Sequence, residues 1–138
     1  MIIYQNDPSK IKYFRMYGCY YFSILELLRR EFYIPLDMGY AERQYLMLQN
    51  NQIADLRYDC LVESPQAVID SIVGGGKMEF LGKFTQINAP KGEDIRLIEY
   101  WQGEKTTQTH FTLPDYDPWR GGSPWRKNLI GYRVYRRI

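Results

Sequence analysis

The chain has 138 residues, 45% of them hydrophobic, which suits one domain over 1–138 with an apolar core that needs neither metal nor a disulfide framework. Its net charge of +2 is too small to argue by itself for a nucleic-acid partner, and no apolar run approaches the roughly 18 residues of a membrane-spanning helix. With only Cys19 and Cys60, and polar residues directly after Met1-Ile2-Ile3, a reducing, cytoplasmic setting without membrane attachment is the expectation.

The first sixteen residues carry a turn signal, Asp7-Pro8-Ser9, inside a mixed segment with no clear period. From Cys19 the period is helical. Tyr21, Ile24, Leu25, Leu28 and Phe32 share one face, while Tyr20, Phe22 and Leu27 widen it, so this helix is expected to be buried on more than one side, with Pro35 as its stop. Asp37 caps a second helix over 38–50. Ile53 to Val62 alternates loosely and predicts a strand carrying Cys60. Ser64-Pro65 opens a short helix with Val68, Ile69, Ile72 and Val73 inward, ended by Gly74-Gly75-Gly76.

The remainder reads as strands: Met78 to Phe84, Ile95 to Trp101, Thr106 to Leu113, and Tyr132 to Ile138. Helices first and strands last predict an α+β domain, with N-terminal helices packed on a mainly antiparallel sheet.

Cys19 follows Gly18 at the start of the strongest helix, where free N–H groups and the helix dipole favour a thiolate. Gly18 would remove bulk where a substrate backbone approaches. His110 is the only histidine, so a thiol nucleophile needing an imidazole to carry its proton has one choice. If Pro114-Asp115 forms a two-residue turn, Leu113 faces Tyr116, Thr112 faces Asp117, and Asp117 lies diagonal to His110 at about 7–8 Å between backbones. A carboxylate there would fix the imidazole tautomer, as the third member of a triad does, with Asp115 as the alternative orienter.

A Gly-Cys opening a buried helix, a late strand histidine and an Asp-Pro-Trp at residues 117–119 together resemble the compact papain-like cysteine peptidases. The bacteriocin-processing type, and small bacterial and phage proteins similar to it, match most closely in order. The resemblance spans Tyr17 to Arg136. It implies a papain-like fold and a hydrolase of peptide or related amide bonds, with Cys19 as nucleophile, His110 as base and acid, Asp117 as orienter, and no cofactor. It also implies an oxyanion-hole Gln about six residues before the cysteine, where this chain has Tyr13. Gln5 lies fourteen residues upstream and would reach the site only if residues 6–18 loop back. Tyr13 and Gln5 are therefore the oxyanion-hole candidates, beside the Cys19 backbone N–H.

Other chemistry is poorly served. Gly74-Gly75-Gly76-Lys77 lacks the Ser/Thr and the preceding strand of a phosphate loop. One histidine and two separated cysteines lack metal-ligand spacing. Glu93-Asp94 sits in a polar turn. Two other functions compete with a hydrolase acting on a peptide or protein substrate. One is a papain-like domain without turnover that binds a protein partner through an aromatic cleft. The other, ranked last, is nucleic-acid binding through Arg120, Arg126, Lys127, Arg133, Arg136 and Arg137, which lie among aromatic residues near the C-terminus.

Overall fold

The computed structural model describes residues 2–51 and 60–138. Four helices precede four strands: α1 Lys12–Tyr17, α2 Cys19–Phe32, α3 Met38–Asn51, α4 Pro65–Val73, then β1 Met78–Phe84, β2 Ile95–Gln102, β3 Thr109–Thr112 and β4 Asn128–Arg137. The strands form one sheet in the order β1-β4-β2-β3, every pair antiparallel. The predicted α+β class and antiparallel sheet are both present.

Local chemistry accounts for most boundaries. Asp37 Oδ1 accepts the Tyr40 N–H at 2.7 Å, and Ser64 Oγ accepts that of Ala67 at 3.3 Å, so α3 and α4 start at the side-chain caps the sequence offers. α2 stops earlier than Pro35 requires: Tyr33 turns left-handed, with φ 57°, and its N–H closes on Arg29 O. From Tyr20 to Leu28 every residue of α2 is buried, Ser23 and Glu26 included. Ser23 Oγ donates to Phe111 O at 3.3 Å, and Glu26 holds both Arg29 and Arg30, so neither polar group is left unsatisfied.

Several expected elements shift. Residues 12–17, without a clear period in the sequence, form α1, which packs Phe14 against Tyr21, Phe22 and Tyr45. Of the strand expected over Ile53 to Val62, residues 53–59 lie outside the described residues. Cys60 sits in a bend with φ 67°, and Val62 makes a single bridge. β4 begins at Asn128 rather than Tyr132, because β2 extends its pairing to Trp101↔Leu129 and Gln102↔Asn128. β3 is shorter than expected, since Gln108 belongs to the turn that its carbonyl closes with Gly103 N–H at 2.7 Å.

β1 carries a bulge. Phe80 pairs with Tyr135, but Gly82, with φ 123°, pairs with Val134, and Lys83 then faces Arg133. Glycine accepts that φ at no steric cost, and the extra residue moves Lys83 onto the face that carries Phe80.

Candidate active site

The α1–α2 junction sets the position of Cys19. Gly18 N–H bonds Phe14 O at 2.9 Å, and a Cβ on Gly18 would meet that same oxygen at 2.4 Å. Glycine is therefore required by the close approach of α1 to the start of α2, a reason the sequence did not suggest. Cys19 becomes the first residue of a 14-residue helix, and among the described residues its backbone N–H makes no bond to a carbonyl of α1.

His110 comes from edge strand β3, paired with Trp101 of β2. Its neighbour Phe111 turns to the opposite face and stacks on Tyr20 of α2, with ring centroids 4.3 Å apart. That stack ties β3 to the first turn of α2, and with it His110 to Cys19. After Thr112 the chain makes the two-residue turn expected at Pro114-Asp115. Leu113 N–H bonds Tyr116 O at 2.9 Å, and Tyr116 N–H bonds Leu113 O at 3.2 Å. Asp117 is thereby returned beside His110, and Asp117 Oδ1 lies 2.7 Å from His110 Nε2.

Asp117 is held in turn. Its Oδ1 accepts the Trp119 N–H at 2.9 Å and its Oδ2 the Ser123 N–H at 3.0 Å. Burial works against its negative charge, but the bonds from His110, Ser123 and Trp119 outweigh that penalty and hold the carboxyl below its usual range. His110 is only 4% exposed. Burial alone would depress the imidazole; Asp117 and the neighbouring Cys19 side chain overcome this and push it up to about 9. At neutral pH the ring is therefore an imidazolium. Its Nε2–H is committed to Asp117, which leaves Nδ1 as the nitrogen available to Cys19.

Cys19, His110 and Gln5 line one cavity of about 450 Å³, with Trp119, Ser123 and Trp125 on its other wall. The two tryptophans, which from sequence alone would serve equally as lining or packing, are part of that wall. The loop-back needed to bring Gln5 there exists. Gln5 N–H bonds Pro118 O at 2.8 Å, Tyr116 Oη donates to Ile3 O at 2.6 Å, and Arg120 closes on Asp7 at 2.6 Å. Residues 3–7 thus form a strap over the loop that carries Asp117. Sequence reasoning missed this strap, because its contacts span more than 110 positions.

Tyr13 and Asp115 are placed elsewhere. Tyr13 packs against the core and stacks with Tyr17 at 6.4 Å; it is not among the described residues lining the Cys19–His110 cavity. Asp115 is corrected as an orienter: its side chain is 72% exposed and is taken by Arg30 at 2.5 Å. Gln5 stands at the site, but its Nε2 donates to Phe14 O and Arg15 O at 3.1 and 3.2 Å, while its buried Oε1 has no partner among the described residues. The basic C-terminal group is largely neutralised, since Arg120, Arg126, Lys127, Arg136 and Arg137 each pair with a carboxylate.

Comparison of the chain with protein-family models, curated proteins and solved structures gives no match. The functional reading therefore stands on the geometry. Among the described residues no helix is long and apolar enough to cross a membrane.

Proposed function

We propose that this chain is a compact papain-like thiol hydrolase acting on peptide or related amide bonds of a peptide or protein substrate. The observation that carries the reading is a buried His110, fixed by Asp117 at 2.7 Å and held charged beside Cys19 at the first position of α2. An imidazolium next to a sulfur at a helix N-terminus is the resting state that a thiol hydrolase needs.

In this reading Cys19 Sγ attacks the substrate carbonyl carbon, a C–S bond forms, and the carbonyl π pair moves to oxygen. The Cys19 backbone N–H, at the open end of α2, faces that developing charge. As the tetrahedral species collapses, the C–N bond breaks and His110 gives its proton to the departing amine. Water then hydrolyses the thioester, its proton returning to His110. Asp117 keeps Nε2–H engaged throughout, so the ring turns neither its tautomer nor its plane away from sulfur. A reducing cytoplasm would keep Cys19 as a thiol.

The engaged N–H groups of Gln5 favour a second reading, a papain-like domain that binds a protein partner without turnover, because the usual side-chain donor to the oxyanion is occupied. Alkylation with iodoacetamide at neutral pH tests the nucleophile. Cys19 is expected to react at least tenfold faster than a free model thiol, and His110→Ala to abolish the excess. Reaction of wild-type Cys19 at the model-thiol rate would refute the activated pair. Cleavage of a peptide library, lost in Cys19→Ala, separates turnover from binding alone.

A further inference from the structure

A second cavity of about 440 Å³ meets the first at Cys19. Its floor is the helix-facing side of the sheet, where Phe80 and Phe111 lie beside Lys83 and Arg133. Lys83 and Arg133 are directly opposed across β1 and β4. Like charges at opposed positions of an antiparallel pair are destabilising, so the arrangement calls for a compensating anion. Among the described residues neither side chain has a carboxylate partner, although every other C-terminal cation named above does. Arg133 instead lies over the rings of Tyr100 and Phe111, at 4.7 and 5.2 Å from their centroids. Among the described residues Glu63 is the one carboxylate on the cavity lining, set against these two cations.

The β1 bulge builds this pair. Without the extra residue, Gly82 would face Arg133 and Lys83 would fall on the other side of the sheet. A bulged register that brings a second cation beside an unneutralised one, within a cavity that reaches Cys19, points to a ligand.

We propose that this second cavity is the specificity subsite for an acidic group of the substrate: an apolar stem, seated on Phe80 and Phe111, that ends in a carboxylate between Lys83 and Arg133. The proposal rests on Cys19 being the nucleophile of the thiol-hydrolase reading, and predicts cleavage next to an acidic residue of an extended peptide. Aromatic faces take the stem, and the two cations take the charge.

The probe is an iodoacetamide bearing a hexanoate tail, compared with the same reagent whose carboxylate is capped as an amide. Alkylation of Cys19 is followed by mass spectrometry at low ionic strength. The acid is expected to react on the order of fivefold faster than the amide in the wild-type protein, with the difference shrinking in high salt. Lys83→Glu, an exposed change, is expected to invert the preference, read as the acid-to-amide rate ratio so that any change in the reactivity of Cys19 itself cancels; Arg133→Gln is expected to reduce that ratio. Equal rates for the two tailed reagents, or a preference unaltered by both substitutions, would overturn the subsite. Slow reaction with plain iodoacetamide alongside an intact tail preference would instead remove the nucleophile reading and leave the anion subsite standing.

Discussion

Replacing Asp117 by Asn tests the candidate site most directly, since Asn keeps the size and removes only the charge and one acceptor. In the native site Oδ1 serves His110 and Trp119, while Oδ2 serves Ser123. If the Asn carbonyl keeps the first pair, its amide N–H₂ meets the Ser123 N–H donor to donor. If it flips, it meets the imidazolium N–H. At least one donor is stranded, and two (His110 and Trp119) in the flipped orientation, at a cost of about 1–3 kcal/mol each, and a charge-assisted bond of about 1.5–3 kcal/mol is weakened. A net loss of about 3 kcal/mol in urea unfolding is expected. The lift of His110 from 6.5 to about 9 corresponds to about 3 kcal/mol in favour of the charged ring. Because the folded value lies above the unfolded one, this stabilisation is present in full below about pH 6.5 and is lost as pH rises through about 9. Asp117 works in the opposite sense: its depressed value stabilises the fold above about pH 4 and is lost on acidification. As His110 is the sole histidine, its ring proton resonance is an unambiguous reporter. Wild type should titrate near 9 and Asp117→Asn clearly lower, since burial then opposes the charge with only the Cys19 side chain left to favour it. A wild-type ring titrating near 6.5, or a variant unchanged in both titration and stability, would refute the linkage of charge and geometry argued above.

Gly18→Ala would place a methyl 2.4 Å from Phe14 O, and since both atoms are backbone-bound the α1–α2 junction must open. A loss of about 2–3 kcal/mol in denaturant unfolding is expected, together with slower Cys19 alkylation, because the same shift moves the start of α2. The buried hydroxyls of Tyr20 and Tyr135 bond only 2.5 Å apart. Tyr135→Phe should cost about 1–3 kcal/mol by stranding the Tyr20 hydroxyl, and the double substitution to Phe should recover part of that loss. Additive losses in that cycle would contradict a shared bond.

Local chemistry was enough to mark α2, the caps of α3 and α4, the strand order along the chain, and the pairing of Cys19, His110 and Asp117 as one candidate site. Those features depend on period, caps and a two-residue turn, all encoded within about a dozen neighbouring positions. The Pro114-Asp115 turn is the clearest case: its register follows from chain geometry, and it alone returns Asp117 to His110. Other features depend on contacts across the whole chain and were invisible locally. Gln5 reaches the site through residues 116–120, Asp115 is diverted to Arg30, and a single bulge at Gly82 decides which residue opposes Arg133. The sequence by itself singled out which groups are candidates for thiol chemistry. Only the tertiary structure decided which of them are buried together, because burial and register depend on segments from about fifty to more than a hundred residues apart.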